Sequence, residues 1–121
     1  MDIQLLNPNS SNLRSRVPMK QSKLNWKSGR VVYWDMESVD LDIPLVNQLS
    51  ELKEDLAQIS FPSGLLIDIG WYPEFSEDGG FLVTVVRAED WEEPLMKETC
   101  SSAPSLLCAL SKAICIAEQH E

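Results

Sequence analysis

Between residues 65 and 72 the side chains alternate. Leu65, Ile67, Ile69 and Trp71 are large and apolar, and Leu66, Asp68, Gly70 and Tyr72 fall between them. A period of two is that of a strand, with the first set facing a core. Phe81–Ala88 is apolar on both parities except for Thr84 and Arg87, the pattern of a central strand. Pro73–Gly80 joins the two as an acidic, glycine-containing loop. After the turn at Glu92-Glu93-Pro94, Leu95–Thr99 predicts a shorter and more polar last strand.

Elsewhere the period lengthens. Leu45, Leu49, Leu52, Leu56 and Ile59 recur at spacings of three and four, which predicts a helix over Ile43–Ile59. Pro44 suits its first turn, and Pro62 and Gly64 prevent its continuation. A second helix is predicted over Ser102–Gln119, with Ser102 as N-cap and Pro104 in the first turn. Its stripe is Leu107, Leu110, Ile114 and Ala117, broadened by Leu106, Cys108 and Ile116. Leu24–Trp26 and Val31–Trp34 flank Lys27-Ser28-Gly29-Arg30 and read as a first hairpin. Residues 1–22 are weakly patterned. They are expected to form a loosely structured arm, made locally basic by Arg14, Arg16, Lys20 and the adjoining Lys23.

Hairpin, helix, antiparallel strands, helix is the order of an α+β domain. The expectation is an antiparallel sheet of about four to six strands with two helices packed on one face. At 121 residues the chain is expected to be a single domain over 1–121. Apolar residues at 44% and charged residues at 24% are ordinary for a folded domain and argue against disorder of the whole chain.

Net charge changes the picture. The chain is -9, with residues 1–40 at +2, 41–80 at -7 and 81–121 at -4. Such a surface argues against nucleic acid, which is held by neutralising phosphates, and against anionic membranes. It favours a basic protein partner, because complementary fields speed encounter; acidity kept simply for solubility is the plainer alternative. No run of about 18 apolar residues is present to span a membrane, and Met1–Leu6 do not resemble a secretion signal. A cytoplasmic protein is expected. Cys100, Cys108 and Cys115 are odd in number and lack metal-site spacing, so they read as small packing residues rather than a disulfide framework or a zinc site.

Candidate chemistry is thin. The single histidine, His120, is penultimate and cannot serve a serine or cysteine nucleophile. Phosphate-loop and nucleophile-elbow patterns are absent. Clustered carboxylates formally permit a glycosidase-like pair or a calcium or magnesium site, but Ser76–Gly80 does not repeat ligands at EF-hand spacing. No catalytic, cofactor or metal residue is assigned, and the chain is read as not an enzyme. Asp68 interrupts an apolar strand; it marks the solvent side, or else it is covered and needs a partner such as Arg87 or Lys97. Gly70 and Tyr72 on the same parity favour the solvent side.

The remaining candidates are for protein recognition. Tyr72, Phe75 and Trp91 lie among Glu74, Glu77, Asp78, Glu89, Asp90, Glu92 and Glu93. Aromatic anchors inside an acidic rim suit a basic protein surface. These ten residues are the candidate partner-binding set.

Three segments carry a resemblance: Ile69-Gly70-Trp71-Tyr72-Pro73, then Asp78–Val86, then Asp90–Leu95. Over roughly 65–100, and with the acidic balance, the chain resembles small bacterial immunity proteins of toxin–antitoxin competition, including contact-dependent growth inhibition. The resemblance implies a stoichiometric inhibitor that covers the active site of a cognate toxin domain, commonly a basic nuclease. No cofactor is expected. Immunity proteins bind their toxins through different surfaces, so no site residue is carried over from the family. Two alternatives stand beside it: a non-catalytic assembly or adaptor protein forming a homodimer or other complex, and a carboxylate- or metal-dependent enzyme; the oligomeric state, monomer or dimer, is left open.

Overall fold

The computed structural model describes residues 24–87 and 90–119; the arm expected at 1–22 lies outside them. Five antiparallel strands form one sheet in sequence order: β1 (Arg30–Trp34), β2 (Ala57–Ser60), β3 (Leu65–Tyr72), β4 (Gly80–Arg87) and β5 (Met96–Cys100). One α-helix, α1 (Ala103–Gln119), packs on one face of the sheet against β3, β4 and β5. The class is α+β, with the expected antiparallel sheet.

The alternation in β3 works as read. Leu65, Ile67, Ile69 and Trp71 are buried on the helix side. Ile67, Ile69 and Trp71 pair in register with Val85, Val83 and Phe81, so two adjacent strands present one continuous apolar surface; Arg87, opposite Leu65, is exposed. Ala57 and Ile59 extend it on β2, opposite Ile69 and Ile67. From α1, Leu106, Ala109, Leu110, Ala113, Ile114 and Ala117 close over it. That stripe is rotated from the expected one: Leu107, Cys108 and Cys115 are exposed. Of the three cysteines only Cys100 is a buried packing residue. Ser102 caps α1 as expected, its Oγ accepting the Ser105 N–H at 3.3 Å.

Two expected elements are replaced. Ile43–Ile59 is not an α-helix. It contains a broken 3₁₀ stretch, Leu45–Glu51, and the strand β2. Gln48 has φ -141° and ψ 34°, which interrupts any helix there. Its buried side chain serves a loop instead: Oε1 accepts the Asp40 N–H at 2.8 Å, and Nε2 donates to the Asp40 carbonyl at 2.6 Å. Leu52, Leu56 and Ile59 are buried all the same. The spacing identified residues that need a core, and hydrogen bonding to β3 then chose the strand for 57–60.

The expected first hairpin is also absent. Its turn exists, with Lys27 at φ 60° and the Gly29 N–H donating to the Trp26 carbonyl at 2.9 Å. Leu24–Trp26 nevertheless forms no strand, and β1 pairs with β2. Trp26 and Trp34 meet edge to face, ring centres 6.0 Å apart.

Candidate functional site

The loop Pro73–Gly80 is tied to the body by its backbone. The Phe75 N–H donates to the Leu52 carbonyl at 2.8 Å, and Glu74 Oε1 accepts the Glu54 N–H at 3.3 Å. Trp71, buried in the core, donates its indole N–H to the Ser76 carbonyl at 2.8 Å. Gly79 must be glycine: an added Cβ would stand 2.4 Å from Trp71 Nε1. Phe75 sits at φ 62° with its ring exposed. Glu77 and Asp78 project into solvent. Tyr72 and Pro73 are joined by a cis peptide.

The second acidic segment leaves β4 through a turn in which the Asp90 N–H donates to the Arg87 carbonyl at 2.8 Å. The chain rejoins the sheet where the Leu95 N–H meets the Val85 carbonyl, also at 2.8 Å. Asp90, Trp91, Glu92 and Glu93 are all exposed, Trp91 by 48%. Glu89 lies outside the described residues.

The structure therefore divides the ten candidates. Tyr72, Trp91 and Glu92 come together around a cavity of about 210 Å³ on the helix-free face of the sheet, where they meet Asp68, Leu82, Thr84, Pro94 and Lys97. Glu74, Phe75, Glu77 and Asp78 belong to the loop held by Leu52 and Glu54. Asp90 and Glu93 are solvated and do not line the cavity.

Register explains what else stands on that face. Tyr33, Gln58, Asp68, Thr84 and Lys97 are successive cross-strand partners, so one polar row crosses the sheet from β1 to β5. Asp68 is its centre. A second hollow, of about 320 Å³, lies on the β1 side and is lined by Tyr33, Asp55, Ala57, Gln58 and Asp68. Asp68 is common to both hollows.

Asp68 does not mark the solvent side, which corrects the expectation from strand parity. It is 8% exposed. Its partner is neither Arg87 nor Lys97 but Gln58, whose Nε2 donates to Oδ1 at 3.0 Å. Part of the cover comes from residues 53–55, which leave the line of β2. The Glu54 carbonyl comes so close to Gly70 that an added Cβ would stand 2.0 Å from it. Gly70 thus makes room for a neighbouring backbone rather than marking an open surface. The Tyr33 hydroxyl reaches the Asp55 carbonyl at 3.4 Å.

Electrostatics follow from this cover. Burial raises the Asp68 carboxyl above the usual carboxylate range; the Gln58 hydrogen bond opposes the rise and the charge of Asp55 adds to it. The Tyr72 phenol is raised as well, first by burial and then by the negative charge of Asp68. Among the described residues no hydrogen bond reaches Asp68 Oδ2 or the Thr84 hydroxyl, although Thr84 is only 6% exposed. Such groups are expensive to bury unsatisfied.

Sequence reasoning missed Tyr33, Asp55, Gln58 and Thr84. The one available signal was Asp68 in an apolar strand. The described residues hold no group of three or more His, Cys, Asp or Glu side chains placed to bind a metal ion. No helix among them is long and apolar enough to cross a membrane. No protein-family model matches the chain, and comparison with curated proteins and with solved structures gives no match.

Proposed function

We propose that this protein is a stoichiometric binding protein of the immunity type, neutralising a cognate basic toxin domain, of nuclease kind, by covering its active site. The observation that carries the reading is the helix-free face: exposed Tyr33, Tyr72 and Trp91 stand around a buried carboxylate, beside acidic loops, in a chain of net charge -9. A cationic active site built to hold nucleic acid is complementary to such a surface, and covering it excludes substrate. Charge would steer capture, and the aromatic side chains would slow release.

The test begins with affinity capture of the partner from the source cell. Association is then measured against ionic strength for the wild type and for a chain with Glu74, Glu77, Asp78, Glu89 and Asp90 replaced by their amides. We expect association to slow by about tenfold or more at low salt and its salt dependence to flatten. Unchanged kinetics would remove the acidic loops from the reading.

A second reading, a homodimer or other assembly without a toxin, rests on the exposed Val32 and Tyr33 of β1, a strand at the edge of the sheet. Sedimentation across concentration separates the two. A tight dimer that buries Tyr72 and Trp91 would favour assembly over inhibition.

A further inference from the structure

The geometry points to an arginine side chain of the bound protein as the occupant of the hollow between Tyr33 and Asp68. This deepens the binding role proposed above and rests on it. The hollow of about 320 Å³ has room for a guanidinium group and its stem, and the two carboxyl side chains that line it, Asp55 and Asp68, are joined by no basic one. Tyr33 offers an exposed ring as one wall, suited to stacking by a planar cation. The floor is the Asp68 carboxylate. One of its oxygens accepts from Gln58, and the other has no partner among the described residues.

A surface acid would give no reason to expect a ligand. Asp68 differs because it is more than nine-tenths buried and only partly satisfied. The neighbouring hollow repeats the feature: the Thr84 hydroxyl, also more than nine-tenths buried, lines it without a hydrogen-bond partner among the described residues. Two polar groups next to each other in the row across β3 and β4 are therefore held out of water with unused hydrogen-bonding capacity. A guanidinium supplies five donors in a rigid fork and a full positive charge. At Asp68 it meets the oxygen left without a partner among the described residues and the negative charge at once, which a neutral donor does not. Lys97 lies on the far side of Thr84 and lines the other hollow, so the cation-accepting end is the β1 end of the row.

The charge already on the face has a consequence. A cation seated beside Asp68 favours its ionised form and so opposes the rise that burial causes. Binding and the titration of this one carboxyl are linked.

The test uses the full chain and N-acetyl-arginine N-methylamide as probe, followed by amide and carboxyl NMR. The citrulline counterpart is the neutral isostere, and the lysine counterpart tests for a compact ammonium. Saturable shifts at Tyr33, Gln58, Asp68 and Thr84 are expected, with a dissociation constant on the order of millimolar for so small a fragment. The citrulline compound should bind at least about tenfold more weakly, and the Asp68 carboxyl should titrate at lower pH when the probe saturates. Asp68→Asn should weaken the probe about tenfold while leaving the chain folded and no less heat-stable. Absence of a saturable shift would overturn the proposal. So would equal binding of citrulline, lysine binding as tight as arginine, or shifts confined to the 73–80 loop. With a captured partner in hand, Asp68→Asn should speed dissociation about tenfold or more. If the probe fails while the partner still binds with steep salt dependence, the hollow is wrong and the binding role stands. If the probe binds and no partner is captured, the arginine seat stands and the immunity reading fails.

Discussion

The two faces of β3 lie on the same eight residues and follow opposite rules. On the helix side Leu65, Ile67, Ile69 and Trp71 are covered by apolar side chains from α1, β2 and β4, and their burial is favourable wherever they touch. On the other side Asp68 and Gly70 are also buried, but by a backbone bulge and by neighbouring polar side chains. Burial alone therefore does not separate structure from function in this molecule. What separates them is satisfaction: the first face is apolar and needs no partners, whereas the second holds a carboxylate oxygen and a hydroxyl that have no hydrogen-bond partner among the described residues.

The helix side should respond most strongly to substitution. Phe81→Ala removes a fully buried ring that meets Trp71 edge to face at 5.0 Å. It should cost about 3–5 kcal/mol in urea unfolding, and a much smaller loss would mean that this face is not the core. On the helix-free side Gly70→Ala is the sharpest steric test. Its Cβ would collide with the Glu54 carbonyl, which is backbone and cannot rotate away, so we expect a loss of about 2–3 kcal/mol. If the substitution is neutral, the 53–55 bulge does not cover this face.

A smaller effect of opposite sign should come from Asp68→Asn. Because the folded state raises this carboxyl, the folded chain holds its proton to higher pH than the unfolded chain does. Stability is therefore lost as pH rises from about 4, the ordinary carboxylate value, through the raised folded value. The amide keeps an oxygen for Gln58 Nε2 and carries no charge. We expect about 1 kcal/mol of stabilisation at pH 7 that vanishes below about pH 4, read by thermal melts across pH. A destabilised variant at pH 7 would show that Asp68 has a structural role and would remove the contrast between the faces.

The smallest effect belongs to the solvated loop. Glu77→Gln with Asp78→Asn should change stability by less than about 0.5 kcal/mol, since both side chains are exposed. A larger change in stability would mean that these acids help to hold the loop, which the Trp71 and Phe75 hydrogen bonds otherwise explain.

Much of the sheet was legible because its signal is local. The alternation in 65–72 and the doubly apolar run after Gly80 locate β3 and β4 almost to the residue, and the caps and apolar stripe locate α1. The leucines of 45–59 misled because spacings of three and four show only which side chains need burial. A four-residue strand such as Ala57–Ser60 is too short to declare its own period, and its pairing with Ile67 and Ile69 is not visible from its neighbours in sequence. The first hairpin failed for the same reason: its turn is a local property, whereas the partner of β1 comes from 23 residues and more further along the chain.

The candidate site divides likewise. Tyr72, Trp91 and Glu92 were legible as aromatics and acids in loops, and they do meet around one cavity. That Tyr33, Gln58, Asp68, Thr84 and Lys97 form one row was not legible, because register links residues from five strands. By itself the sequence determined the class of the fold, the core face of β3 and β4, the acidic balance and the aromatic loops, since these depend on composition and on periods of a few residues. Only the tertiary structure decided that Asp68 is buried. Asp55 lines the hollow on one side of it and Trp91, Glu92 and Pro94 line the hollow on the other, and a carboxyl's environment is set by whatever the fold brings near it rather than by its neighbours in the chain.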